Sequence, residues 1–242
     1  MSEALESIVR DGAAEYGLRL SDAMAAQFAR YCDILTEKNN IMNLTAISGE
    51  SDIATAHFLD SLAPLTLPHM SAPLEGARLL DVGSGAGLPG VPLRIAAPEM
   101  DVTLLDARGK RVSFLMELRD ALDIRDVVCV HARAEEFART SARDSFDFVV
   151  SRAVAKLNAL CELCLPLVRP GGYFIAMKSA DSDGETAAAG VAASVLGGGT
   201  PEIFEYIIPG ADITRRLVTT RKISPTPREY PRRFARISRD PL

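Results

Sequence analysis

The sequence contains no tryptophan, and it has only four cysteines and three histidines among 242 residues. The cysteines lack the spacing of an extracellular disulfide framework, so a reducing, cytoplasmic setting is expected. The histidines (His57, His69 and His131) are scattered, so no metal site is predicted. No apolar run approaches the length of a membrane span, and no signal peptide or membrane association is expected. These absences argue against secreted, membrane-spanning and zinc-dependent classes of protein.

One glycine-rich stretch lacks the third glycine of the dinucleotide-binding pattern, because Leu88 occupies that place. An apolar run ends in Asp81, and Gly83, Gly85 and Gly87 follow at alternate positions. The pattern predicts a buried strand, a tight turn whose glycines admit a ligand close to the backbone, and the start of a helix. It looks like the first motif of the class I S-adenosylmethionine methyltransferases. An ordinary strand-to-helix turn is the alternative.

The first seventy residues and the rest of the chain differ in pattern. Helical spacing of apolar residues predicts helices from Glu3 to Tyr16, from Ser21 as N-cap to Lys38, and near Asp52 to Leu62. Strands then alternate with helices, which predicts an α/β fold with a doubly wound, mostly parallel seven-stranded sheet. We therefore expect a helical extension over 1–73 and a Rossmann-like methyltransferase domain over 74–242. The strands are predicted near 78–82, 102–105, 127–130, 146–150, 173–177, 203–208 and 217–223, the last two as an antiparallel hairpin at the sheet edge.

Polar residues follow several predicted strands, at the edge where open parallel sheets bind ligands. Asp106 ends the second strand at a spacing from Gly87 that suits hydrogen bonds from ribose hydroxyls, with a helix-capping role as the alternative. Ala134 and Glu135 follow the third strand, where the edge of an adenine could meet the backbone; solvated surface is the alternative there. Arg152 ends the fourth strand, and an arginine at the tip of a buried strand predicts an anionic partner.

Two kinds of chemistry are absent from the motifs. The Asn/Asp-Pro-Pro-aromatic segment of many amine methyltransferases does not follow the fourth strand. Methylation at carbon five of a pyrimidine needs a cysteine nucleophile, but Cys161 and Cys164 lie at helical spacing as packing residues. Neither chemistry is therefore predicted. Methylation of a ring nitrogen that has a lone pair and no proton needs no general base, so none is expected, and Arg152 is the positional candidate for a catalytic residue.

Charge is distributed unevenly along the chain, whose net charge is −5. The last thirty residues carry nine Lys or Arg against two acids, a local charge of +7, which leaves −12 for the remainder. This asymmetry favours contact between the C-terminal segment and a polyanion. A solvated basic tail is the alternative.

Taken together, the motifs resemble those of the bacterial small-subunit rRNA guanine-N7 methyltransferases, once called glucose-inhibited division protein B. The likeness covers nearly the whole chain, through the segments 43–47, 57–62, 81–92, 103–106 with 109–111, 133–136, 151–155, 170–172 and 226–227 with 230–233. The resemblance implies S-adenosylmethionine as cofactor and methyl transfer to N7 of guanine 527, in standard numbering, of 16S rRNA. It implies the small ribosomal subunit or its precursor as partner, and the enzyme is expected to be a cytoplasmic monomer.

The motifs and the resemblance together give a set of expected site residues. The expected cofactor contacts are Asp81, Gly83, Gly85, Leu88, Asp106, Ala134, Glu135 and Arg152. The expected RNA contacts are Lys178, Arg228, Arg232 and Arg233. The chain departs from the family pattern at Lys38-Asn39-Asn40, at Asp106-Ala107-Arg108 and at Lys178-Ser179. Methylation of another RNA base, an NAD-dependent oxidoreductase and a non-catalytic RNA-binding module are the competing functions.

Overall fold

The computed structural model describes residues 3–70, 74–152, 155–180 and 183–242. Pro73, at the expected domain boundary, and Ala153 and Val154 of the fourth strand-tip motif lie outside these ranges. The expected N-terminal helices are present, and Ser21 caps the second by accepting a hydrogen bond from Met24 N at 3.2 Å. The third expected helix is interrupted by a π-helical segment, Ala54–Leu59. The helices before the sheet are α1 (Glu3–Glu15), α2 (Asp22–Met42), α3 (Glu50–Ile53) and α4 (Asp60–Leu62).

Seven strands form one sheet in the order β3-β2-β1-β4-β5-β7-β6. Strand β7 pairs antiparallel with both β5 and β6, and the other pairings are parallel. The predicted Rossmann-like, mostly parallel sheet with a C-terminal hairpin is therefore confirmed. The strands are β1 (Arg78–Val82), β2 (Asp101–Asp106), β3 (Val128–His131), β4 (Phe146–Arg152), β5 (Val168–Ser179), β6 (Glu202–Ile208) and β7 (Ile213–Arg221).

Strand β5 is longer than its apolar run predicts, because it continues through Pro170-Gly171-Gly172. The backbone of Lys222 pairs there with Gly171 and Gly172 at 2.8 Å on each side, which extends the ladder past the proline. Helices connect the strands: α5 (Gly90–Ala96), α6 (Gly109–Ala121), α7 (Ala134–Phe137), α8 (Leu157–Cys164), α9 (Asp183–Val195) and, after β7, α10 (Phe234–Arg239).

Two hydrophobic cores cover the two faces of the sheet. One joins α1, α2 and the segment 53–70 to the sheet, with Phe28, Tyr31 and Phe58 packed ring against ring. The other lies under α8, α9 and the C-terminal segment, and includes Ile237 of α10. The first core crosses the expected boundary at 73/74, so the N-terminal helices are an integral layer on one face of the sheet. In the described ranges, no helix is long and apolar enough to cross a membrane.

Candidate active site

A cavity of about 640 Å³ opens at the carboxyl ends of β1 to β4. The strand order reverses between β1 and β4, which is where ligands bind in open α/β sheets. Its volume suits a small-molecule cofactor. The expected cofactor contacts that line the cavity are Gly83, Gly85, Leu88, Asp106, Ala134, Glu135 and Arg152.

The loop after β1 wraps one end of the cavity in a conformation that needs glycine. Gly83, Gly85 and Gly87 have φ of +78°, +56° and +97°, values that side chains with a Cβ rarely adopt. Gly83 N and Ser84 N both donate to Leu105 O of β2, at 2.8 and 3.1 Å, and fix the loop to the neighbouring strand. At Gly85 the nearest atom to an added Cβ is Arg111 Nη1, at 3.7 Å. Gly85 therefore leaves room on the cavity side of the loop.

Gly87 serves a different purpose, since a Cβ there would meet protein atoms. It would lie 2.8 Å from Tyr31 Oη and 2.9 Å from Val91 Cγ2. Tyr31, fully buried in α2, donates from its hydroxyl to Ala86 O at 2.5 Å, and burial raises its pKa well above the usual value. The third glycine of the motif thus makes room for an N-terminal helix that holds the loop.

Asp81, expected to contact the cofactor, lies behind the loop and does not line the cavity. Its side chain is fully buried, and Oδ2 accepts a hydrogen bond from Gly90 N at 2.9 Å. Its other oxygen, Oδ1, has no hydrogen-bond partner among the described residues. Burial raises the pKa of Asp81 to about 7, against the opposing effects of its hydrogen bonds and of Arg152. Asp81 therefore acts on the start of α5 and on the shape of the loop.

Asp106 connects the end of β2 to the glycine loop. Its Oδ2 accepts from Gly85 N at 3.0 Å and its Oδ1 accepts from Arg108 N at 2.8 Å. The Arg111 guanidinium approaches Oδ2 at 3.5 Å. The carboxylate lines the cavity although the residue is only 3% exposed. Its orientation is fixed by backbone donors, and Oδ1, which accepts from a single donor, keeps a lone pair for a ligand hydroxyl.

Glu135, in α7, forms the wall beyond β3. It is buried, and Arg133 Nε donates to its Oε1 at 2.7 Å. The Arg133 guanidinium also stacks over the ring of Phe234, with Cζ 4.6 Å from the ring centroid. This brings α10 of the C-terminal segment to the rim of the cavity.

Arg152 has the anionic partner that its position predicts, and that partner belongs to the protein. Its Nη1 donates to Asp60 Oδ2 at 2.9 Å and to Ala56 O at 3.3 Å. The other oxygen of Asp60 accepts from Tyr206 Oη of β6 at 2.7 Å. Arg152 is therefore held by the N-terminal segment and, through Asp60, by the hairpin, and it also lines the cavity.

His57 and Thr45 complete the wall next to Arg152. Arg152 Nη2 faces His57 Nδ1 at 3.3 Å, and His57 Nε2 lies 2.7 Å from Thr45 Oγ1. Burial, together with the Arg152 charge, lowers the pKa of His57 to about 4. The imidazole is therefore neutral at physiological pH.

The four expected RNA contacts differ in their surroundings. Arg228 and Arg233 are exposed. The Arg232 guanidinium pairs with the fully buried Glu162 through Nη2–Oε2 at 2.6 Å and Nε–Oε1 at 2.9 Å. Lys178 pairs with Glu185 at 2.7 Å and its side chain is 13% exposed. The geometry leaves Arg228 and Arg233 as the candidates for phosphate contact and gives Arg232 and Lys178 structural partners.

Sequence reasoning did not assign Thr45, His57, Asp60, Tyr206 or Phe234 to the site. His57 and Asp60 are three residues apart in a helical segment, so they share one face, and a charged residue on an otherwise apolar face was the available signal. No pattern in the sequence joins them to Arg152, which lies 92 residues beyond Asp60. Among the described residues, no group of three or more His, Cys, Asp or Glu could hold a metal ion.

Solved structures share the fold at low sequence identity. A protein of Agrobacterium tumefaciens described as a predicted O-methyltransferase aligns over 70% of this chain and 81% of its own, with 23% identity and a TM-score of 0.53. A SAM-dependent O-methyltransferase of Thermotoga maritima covers 80% of this chain and 72% of its own, with 15% identity and a TM-score of 0.50. The fold is that of the class I S-adenosylmethionine-dependent methyltransferases.

Sequence comparison identifies the family. The family model for rRNA small subunit methyltransferase G matches residues 24–204. The Alkaliphilus oremlandii protein named ribosomal RNA small subunit methyltransferase G is 43% identical over 98% of this chain and 99% of its own length. The protein of the same name from Staphylococcus carnosus is 41% identical over 94% of this chain and 95% of its own. The chain therefore belongs to the rRNA small subunit methyltransferase G family.

Proposed function

We propose that this protein methylates N7 of a guanine in 16S rRNA, guanine 527 in standard numbering. Its substrate is the small ribosomal subunit or a precursor of it, in the cytoplasm. Membership in a methyltransferase family sets aside the oxidoreductase and non-catalytic alternatives. The choice of guanine N7 comes from the resemblance of the motifs, and the chemistry of the cavity wall supports it.

The observation that supports N7 is the lack of any free base or thiol nucleophile among the described residues of the wall. No cysteine lines the cavity, and Cys161, buried in α8, has a pKa raised to about 12. Both carboxylates of the wall are hydrogen-bonded, and both nitrogens of His57 face protein partners. An exocyclic amine or a pyrimidine carbon would need deprotonation or covalent activation. Guanine N7 has an in-plane lone pair and no proton, so positioning suffices.

Residues on one side of β1 would position the cofactor, and residues on the other side would position the acceptor base. S-adenosylmethionine, when bound, supplies an activated methyl group. Asp106 and Glu135, on the β2 and β3 side, present carboxylates for the nucleoside part of the cofactor. The glycine loop covers the middle, where a missing Cβ at Gly85 leaves space. Arg152, Thr45 and His57 form the wall on the β4 side, where the acceptor base must enter. Orientation of two reactants can contribute roughly 7–11 kcal/mol to catalysis.

Mapping the product tests the proposal. Purified protein is incubated with tritiated S-adenosylmethionine and with three substrates: 16S rRNA, precursor particles and finished small subunits. Borohydride reduction followed by aniline cleaves RNA at N7-methylguanine, and primer extension then locates the site. We expect one cleavage, at guanine 527, in at least one substrate. Tritium in RNA that resists this cleavage, or cleavage at another guanine, would overturn the proposal.

A further inference from the structure

Thr45 is held in a defined position at the cavity wall. Asn39, in the last turn of α2, accepts from Thr45 N at 2.8 Å and donates from Nδ2 to Thr45 O at 2.9 Å. Both backbone groups of Thr45 are therefore fixed by one amide side chain. Thr45 lines the cavity together with His57 and Arg152.

The hydrogen bonds around His57 assign its tautomer. Arg152 Nη2 can only donate, so the His57 Nδ1 that it faces at 3.3 Å carries the lone pair. A proton on Nδ1 could donate to Ala56 O, 3.2 Å away, but Nδ1 and Arg152 Nη2 would then be two donors facing each other at 3.3 Å. The ring is neutral, so its proton is on Nε2, which donates to Thr45 Oγ1 at 2.7 Å.

The Thr45 hydroxyl then has no protein acceptor for its own proton in the part of the chain described here. Its oxygen accepts from His57 Nε2 and also from Ile47 N at 3.0 Å, which uses both lone pairs. A hydroxyl that accepts twice has only its O–H left to offer. Because the residue lines the cavity, that donor is available to a ligand atom that accepts.

We propose that the Thr45 hydroxyl donates a hydrogen bond to the O6 carbonyl of the target guanine, and thereby makes the site select guanine over adenine. This inference rests on the proposed function, and it names the residue that distinguishes guanine from adenine. O6 is next to N7 on the same edge of guanine, whereas adenine presents an amino donor at that position. A hydroxyl that can only donate forms a hydrogen bond with the O6 acceptor and none with the donor hydrogens of the amino group. A site built to hydrogen-bond a substrate group rejects analogues that lack it.

The test compares Thr45→Val with wild type on small subunits reconstituted with semisynthetic 16S rRNA. The target base is one of three: guanine, 2-aminopurine or hypoxanthine (the base of inosine). 2-Aminopurine keeps N7 but lacks O6, whereas hypoxanthine keeps both N7 and O6. With guanine and hypoxanthine, we expect kcat/KM of Thr45→Val to fall by about 10- to 100-fold. With 2-aminopurine the wild-type rate should already be low, and Thr45→Val should lower it by less than about threefold.

Controls separate a reading role from a structural one. Thr45→Ser and Thr45→Ala differ only in the hydroxyl, so the serine variant should retain guanine preference and the alanine variant should lose it, even if Thr45→Val folds poorly. Thr66→Val, an exposed threonine outside the cavity, should match wild type. Equal losses on guanine and 2-aminopurine would overturn the role of Thr45 while N7 mapping of the wild-type product stands. A wild-type product mapped away from guanine N7 would overturn both this inference and the proposed function.

Discussion

Asp106 shows how one side chain can hold a loop in place and still border the cavity. A carboxylate at a strand tip could cap a helix or hold a ribose, and the sequence left both possibilities open. In the structure its oxygens accept from Gly85 N and Arg108 N and still border the cavity. The bond to Arg108 N closes a turn before α6, whose N-cap Arg108 makes no side-chain cap hydrogen bond, so Asp106 orders the loop and does not cap the helix. Ordering the loop leaves room for a ligand because a carboxylate accepts more than two hydrogen bonds.

Replacing Asp106 by alanine should weaken binding of S-adenosylmethionine by about 1.5–3 kcal/mol, because the variant lacks hydrogen bonds to a charged acceptor. Titration calorimetry on the folded variant measures the change. Asp106→Asn is the matched control, since the amide keeps the size of the side chain and one acceptor oxygen and should show a smaller loss. Wild-type affinity in a folded Asp106→Ala protein would remove this residue from the site.

Asp81 makes stability depend on pH. Its pKa is about 7 in the folded protein and 3.8 in a solvated carboxyl. Between these values the folded state retains a proton that the unfolded chain has released, so this residue's contribution to stability falls as the pH rises from 3.8 to 7. Above pH 7 the full cost of a buried carboxylate is present.

Asp81→Asn should therefore remove a pH dependence. From pH 5 to pH 8, the free energy of unfolding of the variant relative to wild type should rise by roughly 2–3 kcal/mol, at 1.36 kcal/mol per unit of pKa difference. Denaturant unfolding at several pH values measures it. Parallel pH profiles for the two proteins would show that the Asp81 proton does not contribute.

At the scale of elements, the glycine loop and helix α2 form one unit. Gly85 and Gly87 look equivalent in the sequence. An added Cβ would collide with the Tyr31 side chain of α2 at Gly87 but with nothing at Gly85. Tyr31 reaches the loop from α2 and binds the carbonyl of Ala86. The motif therefore specifies helix packing as well as ligand access.

Gly87→Ala should destabilise the protein by about 2 kcal/mol or more, through positive φ and the contact with Tyr31 Oη. Adding Tyr31→Phe should recover part of that loss, because it removes the atom 2.8 Å from the new Cβ. Gly85→Ala, with φ of +56° and open space, should cost only about 1–2 kcal/mol. Thermal unfolding of the four proteins distinguishes the positions, and equal losses at Gly85 and Gly87 without recovery would contradict this explanation.

Element positions were largely predictable from sequence, and the contacts between them were not. Apolar runs predicted all seven strands. For β1, β2, β4 and β5 the signal is strong because buried strands of a parallel sheet are apolar, whereas β6 and β7 form an antiparallel hairpin at the edge. The π-helical segment 54–59 carries no such signal, since its residues fit an ordinary helix. Strand-tip residues were predictable because parallel strands end at one edge. The pairing of Arg152 with Asp60 and Tyr206 depends on how the N-terminal layer and the hairpin pack on the sheet, which local patterns do not encode.

At the scale of the whole molecule, charge and packing both bear on the C-terminal segment. The alternative of a solvated tail does not describe Lys222 and Ile237, which are fully buried, or Arg232, which binds buried Glu162. The segment is anchored, and it presents Arg228 and Arg233 at the surface of an otherwise acidic chain. The charge asymmetry is visible in the order of residues along the chain, but burial decides which arginines can contact RNA.

Replacing Arg228 and Arg233 by alanine should weaken binding to 16S rRNA or the small subunit. The slope of log affinity against log salt should become shallower by about 0.7–0.9 for each phosphate that an arginine no longer neutralises. The affinity for S-adenosylmethionine and the unfolding temperature should remain those of wild type. An unchanged salt slope would show that these arginines do not contact RNA.

Arg232→Ala provides the contrast to that pair. It leaves Glu162 buried without its cation, so the free energy of unfolding should fall by about 3–5 kcal/mol. If Arg232→Ala instead behaved like the Arg228/Arg233 double variant, with a shallower salt slope and wild-type stability, the ion pair with Glu162 would not be the main role of Arg232.

The bond from Tyr31 to Ala86 joins positions 55 residues apart in the chain. A helix that stabilises the ligand-accepting form of the loop is itself stabilised when the ligand binds, because the coupling between two equilibria is reciprocal. Amide protons of α2 should therefore exchange with deuterium more slowly when the cavity is filled, although none of its residues lines that cavity. Filling of the cavity would then be detectable by hydrogen exchange in α2, on the other side of the glycine loop.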